Sequence, residues 1–162
     1  MKLYNVSNAY IDYLKTLDHK VLDNYQGKRP YIGALITIGD IKYLAPLTSP
    51  KDKHARMKDS DITLFKLKDL SNENNRLGII NLNNMIPVID SEVSLLDVSR
   101  QPEQYKFLLQ KQIAFIRKNK ADIQARAERL RGVVIKGYDQ RAVNLSCNFR
   151  LLEERYTQYQ SN

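Results

Sequence analysis

The sequence predicts an α+β fold: a twisted antiparallel sheet from the N-terminal half, with helices packed on it mainly from the C-terminal half. Three observations predict it. Two runs rich in Ile, Leu and Tyr, residues 31–38 and 41–46, flank Gly39-Asp40 as hairpin arms flank their turn. Beyond Ser91 the apolar residues change to helical spacing, first at Tyr105, Leu108, Leu109, Gln112, Ile113 and Ile116, then at Ile123, Ala127, Leu130 and Val134. The chain of 162 residues, 43% apolar and 27% charged, suits a single domain over 1–162 with a proper core.

In chain order, residues 3–6 (LYNV) open as a short strand. Ser7 then stands where an N-cap belongs, before Tyr10, Ile11, Leu14 and Leu17 at helical spacing. Residues 18–30 show no period, contain Gly27 and Pro30, and read as a long loop; loops beyond ~12 residues are often functional. After the hairpin, residues 62–67 (ITLFKL) alternate as a third strand of the same sheet. Residues 77–82 and 85–89 read as two more strands around Asn83-Asn84, with Pro87 at an edge or a bulge. In the second half Asp122 lies near a helix start and Gly137 just past that helix's end. Asn148 is placed to cap a last helix through Leu151, Leu152 and Tyr156.

Several function classes fall away. No apolar run approaches the ~18 residues of a membrane span, and the N-terminus lacks the apolar core of a secretory signal. The cytoplasm is the expected location. The lone Cys147 cannot form an intramolecular disulfide and reads as a small, partly buried hydrophobe. His19 and His54 lie outside any HxxxH or HExxH spacing and read as surface residues rather than ligands, so neither metal nor cofactor is expected. No Gly-rich phosphate loop and no GxSxG elbow is present. The carboxylate pairs Asp59/Asp61 and Glu153/Glu154 read as exposed charges.

Lys and Arg outnumber Asp and Glu to give a net charge of +8, which favours an anionic partner. The excess is concentrated. Lys42, Lys51, Lys53, Arg56 and Lys58 face only Asp52 in one stretch. Lys111, Arg117, Lys118, Lys120, Arg126, Arg129 and Arg131 face only Asp122 and Glu128 in another. Two such stretches can line one groove and hold a phosphate chain by counterion release. The ten tyrosines offer stacking faces for unpaired bases. Solvated helix faces and core tyrosines account for the same residues.

The end of the hairpin carries the densest chemistry. Thr48, Ser49, Pro50 and Lys51 form the segment TSPK. Attack of an RNA 2′-hydroxyl on its own phosphodiester needs the phosphate held in line and its added negative charge stabilised. Lys51 is a point charge suited to that task, and Thr48 and Ser49 are two hydroxyl donors to non-bridging oxygens. Pro50 stiffens the turn. Read alone, the segment is more commonly just an ordinary turn after a strand.

The whole chain resembles the endoribonuclease toxins of type III, or protein–RNA, toxin–antitoxin systems, the ToxN/AbiQ/CptN/TenpN group. MKLYNVSNAYIDYL matches the family's opening, and YLAPLTSPK its most distinctive block. LGIINLNNMIPV, EVSLLDV, KQIAFIRKN and CNFRLLEERY follow in the family's order and spacing. The resemblance implies a partly barrel-like MazF/Kid-like sheet and metal-independent RNA cleavage to 2′,3′-cyclic phosphate and 5′-hydroxyl ends. It implies inhibition by a small repeat-derived pseudoknot RNA, which the toxin itself cuts into units, in a closed alternating protein–RNA assembly. It also implies a role in phage defence, with cellular or phage RNA as substrate. Carried over by position, the catalytic set is Thr48, Ser49, Lys51 and Tyr25. The expected RNA-binding set is Lys28, Arg29, Tyr10, Lys53, His54, Arg56, Lys58, Lys118 and Lys120. The family often has lysine where Arg29 stands; arginine keeps the charge but not the ability to lose a proton. The general base stays open among Ser49, Tyr25 and Lys51. The alternative reading is a non-catalytic RNA-binding module using the same groove. A membrane-surface protein ranks last, since no basic amphipathic helix carries Trp or Phe on its apolar face.

Overall fold

The structure is a computed structural model that describes residues 1–23 and 31–161. Seven strands and six helices are described: β1 (Leu3–Val6), α1 (Asn8–Leu17), β2 (Tyr31–Ile38), β3 (Ile41–Thr48), α2 (Asp52–Arg56), β4 (Phe65–Asp69), β5 (Asn72–Ile80), β6 (Ile86–Pro87), β7 (Val93–Leu95), α3 (Glu103–Lys118), α4 (Lys120–Lys136), α5 (Gln140–Leu145) and α6 (Phe149–Arg155).

The sheet runs β4-β5-β3-β2-β1-β7, with every neighbouring pair antiparallel. The edge of β3 away from β2 is shared. β6 occupies Tyr43 and Leu44, and β5 occupies Leu47 and Thr48. Among the described residues β4 and β7 end the path without pairing to each other, so the sheet is open rather than closed into a barrel.

Local chemistry explains most boundaries. Ser7 caps α1 by accepting the Tyr10 amide, and Asn148 caps α6 by accepting the Leu151 amide, as the sequence predicts. Gly137 ends α4 at φ +69°, a left-handed conformation that glycine adopts without a Cβ penalty. β3 runs two residues beyond the expected arm, so Thr48 is the last residue of a strand rather than part of a turn.

The third strand begins at Phe65, not Ile62. Asp61 Oδ1 accepts both the Thr63 amide at 2.9 Å and its hydroxyl at 2.6 Å, which folds 61–63 into a turn. Its partner β5 starts at Asn72, five residues before the expected strand: the NENNR stretch is exposed and shows no apolar alternation, and it holds β4 through the backbone ladder and through the Asn75 side chain, which donates to Asp69 Oδ2 at 3.1 Å. Of the predicted strand over 85–89, only Ile86 and Pro87 pair, on the edge of β3 where a missing N–H is tolerated.

The core lies between the sheet and α1, α3, α4 and α6, with Tyr10, Ile11, Leu14, Tyr43, Leu44, Ile116, Leu130, Phe149 and Leu152 fully buried. Cys147 is buried there, and burial, with Asp18 nearby, pushes its thiol up to about 12. It is an inert hydrophobe, as expected. Glu153 departs from its exposed reading. It binds Arg131 through two contacts, 2.6 Å and 2.8 Å, and accepts the hydroxyl of buried Tyr43. Asp61 is also more than an exposed charge, since it holds Arg141 at 3.0 Å. Among the described residues no helix is long and apolar enough to cross a membrane.

Candidate nucleic-acid interface

β3 delivers Thr48 to the end of the sheet. There Asn81, just beyond β5, donates its amide N–H to the Pro46 carbonyl at 2.8 Å and its side-chain N–H to Thr48 Oγ1 at 3.1 Å. Thr48 Oγ1 therefore acts as an acceptor toward the protein, leaving its own proton to donate elsewhere. Ser49, Pro50 and Lys51 are exposed immediately after it.

Gly78 of β5 makes this approach possible. It sits at φ +135°, and a Cβ there would lie 2.6 Å from the Thr48 carbonyl oxygen. Both strain and clash oppose any side chain. Gly78→Ala is expected to destabilise the fold by more than about 1 kcal/mol and to displace Thr48. Denaturant unfolding checks the first effect and RNA cleavage by the folded fraction the second. An unchanged midpoint would refute it.

Lys51 precedes the short helix α2, which the sequence did not reveal. Its main chain is gripped by one residue. The His54 amide donates to the Lys51 carbonyl at 2.9 Å, and the Lys51 amide donates to His54 Nδ1 at 3.1 Å. His54 is buried, not a surface residue, so the lysines beside it rather than its own ring face solvent. Burial lowers its pKa first; Lys53, Lys51, Lys66 and Arg76 lower it further. Four cations thus converge around the segment that follows Thr48.

Two clefts flank β4. One, about 230 Å³, is lined by His54, Lys66, Lys68, Arg76, Asp59 and Glu73 among others. The other, about 350 Å³, adds Phe65, Phe115, Lys118 and Arg126 and shares Lys66, Lys68, Asp59 and Glu73 with the first. Asp59 is spoken for by Lys68 at 2.9 Å and Lys66 at 3.0 Å, and these two hold its carboxyl below the usual range. Lys66 and Lys68 of β4 thus line both clefts, one reaching His54 and Ala55 of α2 and the other Phe115 and Lys118 of α3.

The sequence-predicted residues divide clearly. Thr48, Ser49, Lys51, Lys53, Arg56 and Lys58 follow one another from the end of β3 through α2, and Lys118 lines the larger cleft. Lys120 lies elsewhere, beside the N-terminus, whose ammonium is lowered by burial and then by Lys120, Arg117 and Lys2. Tyr10 is fully buried, its hydroxyl donating to the Pro87 carbonyl at 2.6 Å, so it has no face for a base. Tyr25, Lys28 and Arg29 lie outside the described residues. Part of the helical charge is structural. Arg126 donates to the Asp59 and Leu64 carbonyls over the Phe65 ring, Lys111 pairs with Asp69 at 2.7 Å, and Arg131 pairs with Glu153. Sequence reading missed Lys66, Arg76 and Asn81. The alternation of Lys66 and Lys68 with Phe65 and Leu67 was a usable signal for the first; the polar run around Arg76 offers none. Among the described residues no group of three or more His, Cys, Asp or Glu could hold a metal ion.

An open antiparallel sheet packed on helices, with a hydroxyl–lysine segment at one strand end, makes this an α+β protein. Comparison with known proteins narrows it. The family model described as toxin ToxN of the type III toxin–antitoxin system matches residues 2–157, and the chain belongs to that family. A relative named endoribonuclease ToxN from Pectobacterium atrosepticum is 44% identical over 164 residues, covering 98% of this chain and 94% of the relative. Endoribonuclease AbiQ from Lactococcus lactis subsp. lactis is 30% identical, covering 98% and 89%. Among solved structures, one described as showing that a processed non-coding RNA regulates a bacterial antiviral system has a TM-score of 0.90 at 43% identity, covering 99% of this chain and all of that one. AbiQ, described as a lactococcal anti-phage endoribonuclease of a type III system, has a TM-score of 0.86 at 30% identity, covering 98% and 96%.

Proposed function

We propose that this protein is an endoribonuclease toxin that cuts RNA without a metal, by 2′-hydroxyl attack. The observation that carries the reading is the Thr48-Ser49-Pro50-Lys51 segment, anchored at a strand end by Thr48 and exposed from Ser49 onward, with Lys53, Lys66 and Arg76 near the His54 that holds its last residue, in a chain of the ToxN family. The 2′-oxygen attacks phosphorus, the 5′-oxygen leaves, and a 2′,3′-cyclic phosphate and a 5′-hydroxyl remain. Thr48 and Ser49 donate to non-bridging oxygens, and the Lys51 ammonium stabilises the charge that builds there. Arg76 and Lys66 extend the positive surface toward the adjoining phosphate. Tyr25, Lys28 and Arg29 complete the site on this reading. The 2′-proton passes to a deprotonated Tyr25 or Ser49, or to Lys51 as the neutral amine in place of its ammonium role, and the departing 5′-oxygen takes its proton from water.

On the same reading the sheet is a MazF/Kid-like one, within a single cytoplasmic domain. The inhibitor is a small pseudoknot RNA cut from tandem repeats, held with the toxin in a closed alternating assembly. Substrates are cellular or phage RNA, and the role is phage defence by abortive infection. The relatives' descriptions as endoribonucleases support the RNA-cutting activity, the description of a processed non-coding RNA as regulator supports an RNA inhibitor, and the description of AbiQ as anti-phage supports the defence role.

The test is cleavage of single-stranded RNA by the purified protein in excess EDTA, with the new ends mapped. Cyclic-phosphate and 5′-hydroxyl ends are expected. RNA that is bound but stays full length, with or without added divalent metal, would instead establish a non-catalytic RNA-binding module.

A further inference from the structure

We propose that His54 is a positioning residue: by accepting the Lys51 amide proton it fixes the main chain from which Lys51 reaches the scissile phosphate, and it does so only as the neutral imidazole. The proposal rests on the phosphate role of Lys51 given above.

The geometry is reciprocal. His54 Nδ1 accepts from the Lys51 amide at 3.1 Å while the His54 amide donates to the Lys51 carbonyl at 2.9 Å. Both polar groups of one peptide residue are thus held by one neighbour three positions on. His54 is 7% exposed as a residue, so water does not readily replace Nδ1 as acceptor. Accepting at Nδ1 puts the ring proton on Nε2.

Protonation would give Nδ1 a hydrogen, turning the acceptor into a second donor aimed at the Lys51 amide. The clamp would open on that side. The groups facing the ring oppose the added charge. From α2 and its approach come Lys51 and Lys53; from β4, Lys66; from β5, Arg76. The carboxylates nearby do not offset them. Asp59 is held by Lys66 and Lys68, while Glu73 and Asp52 are exposed to solvent. With burial acting first and the four cations after it, the His54 pKa falls below its usual 6.5. The clamp therefore holds at neutral pH and opens only in acid.

This predicts an unusual divergence. Acidification lowers the cleavage rate by loosening Lys51, yet it adds a positive charge to the groove and strengthens RNA binding. A purely architectural histidine would weaken both together.

The experiment uses the full chain with a single-stranded RNA that the wild type cuts, and a 2′-deoxy analogue that it cannot cut. Single-turnover rate and analogue affinity are measured from about pH 5 to 8, below and above the ordinary histidine range. His54→Phe keeps the ring volume and removes the acceptor. It is expected to lose roughly 30-fold or more in rate, with analogue affinity within about threefold at neutral pH. His54→Asn keeps an acceptor near the Nδ1 position and cannot titrate. It is expected to recover most of the rate and to lose the acid limb and the acid-strengthened binding. A fully active His54→Phe, or a His54→Asn profile with the wild-type acid limb, would overturn the proposal. If His54→Phe fails to fold, the His54→Asn profile alone decides. Lys51→Ala separates the two readings. If it cuts like wild type, the phosphate role of Lys51 fails. If it is inactive while His54→Phe is fully active, only the positioning role fails.

Discussion

Lys51→Ala is expected to lower RNA cleavage by roughly 10²–10³-fold while leaving the fold intact, the usual cost of removing one charge-stabilising group from a reacting centre. The side chain is exposed and leads off the sheet, so nothing packed is lost with it. Its amide and carbonyl contacts with His54 are main-chain groups on the Lys51 side and survive the substitution. The change therefore isolates the ammonium. Expression without an inhibitory RNA gives a second measurement. Cells producing Lys51→Ala should grow, and cells producing wild type should not. Lys51→Arg is expected to recover only part of the rate, because a planar fork directs its donors differently from a compact ammonium. If Lys51→Ala and Ser49→Ala both remain fully toxic, the site lies elsewhere.

The second large effect is on stability. Glu153→Ala removes the acceptor for the hydroxyl of fully buried Tyr43 and for the guanidinium of Arg131. Arg131 is 29% exposed and recovers some hydration, so the loss falls below that of a fully buried pair. A cost of about 2–3 kcal/mol is expected, which corresponds to a fall in melting temperature of roughly 5–10 °C for a chain of this size. A shift below about 1 °C would show that the cluster contributes nothing. Burial raises the Glu153 pKa, but its bonds to Arg131 and Tyr43 outweigh this and leave it below the usual 4.5. The sign follows. The cluster contributes fully above 4.5, where the unfolded carboxyl is also ionised, and the contribution is lost as pH falls through the lower folded value. Wild type should therefore lose more stability on acidification than Glu153→Ala.

The sequence made visible what repeats a local period. The hairpin of β2 and β3, the stripes on α3 and α4, the Ser7 and Asn148 caps and the Gly137 stop are each encoded within a few residues. What escaped reading has no such local signal. β7 pairs with β1 and offers little buried side-chain surface, so no alternation announces it. The first half of β5 projects into solvent with both faces polar. Helices α2 and α5 are five and six residues long, too short to show a stripe. Of the site, the contiguous Thr48-Ser49-Pro50-Lys51 segment was legible because its chemistry is written in order. Arg76, Lys66 and Asn81 join it only through the pairing of β4, β5 and β3. The burial of Tyr10 and His54 likewise depends on partners far along the chain, Pro87 for one and β4 and β5 for the other.

The anchoring of Thr48 has a consequence for how the protein is made. During synthesis the Thr48-to-Lys51 segment appears early, but Gly78 and Asn81, which seat Thr48, follow about thirty residues later. Tyr43, on the same strand, waits for Glu153, near the end of the chain. A growing chain thus carries the segment's chemical groups well before it can hold them in place. At the usual elongation rate of about 5–20 residues per second, that delay lasts several seconds or more. On the proposed function, the ribosome making this protein meets a working nuclease only after the residues up to Glu153 have been added.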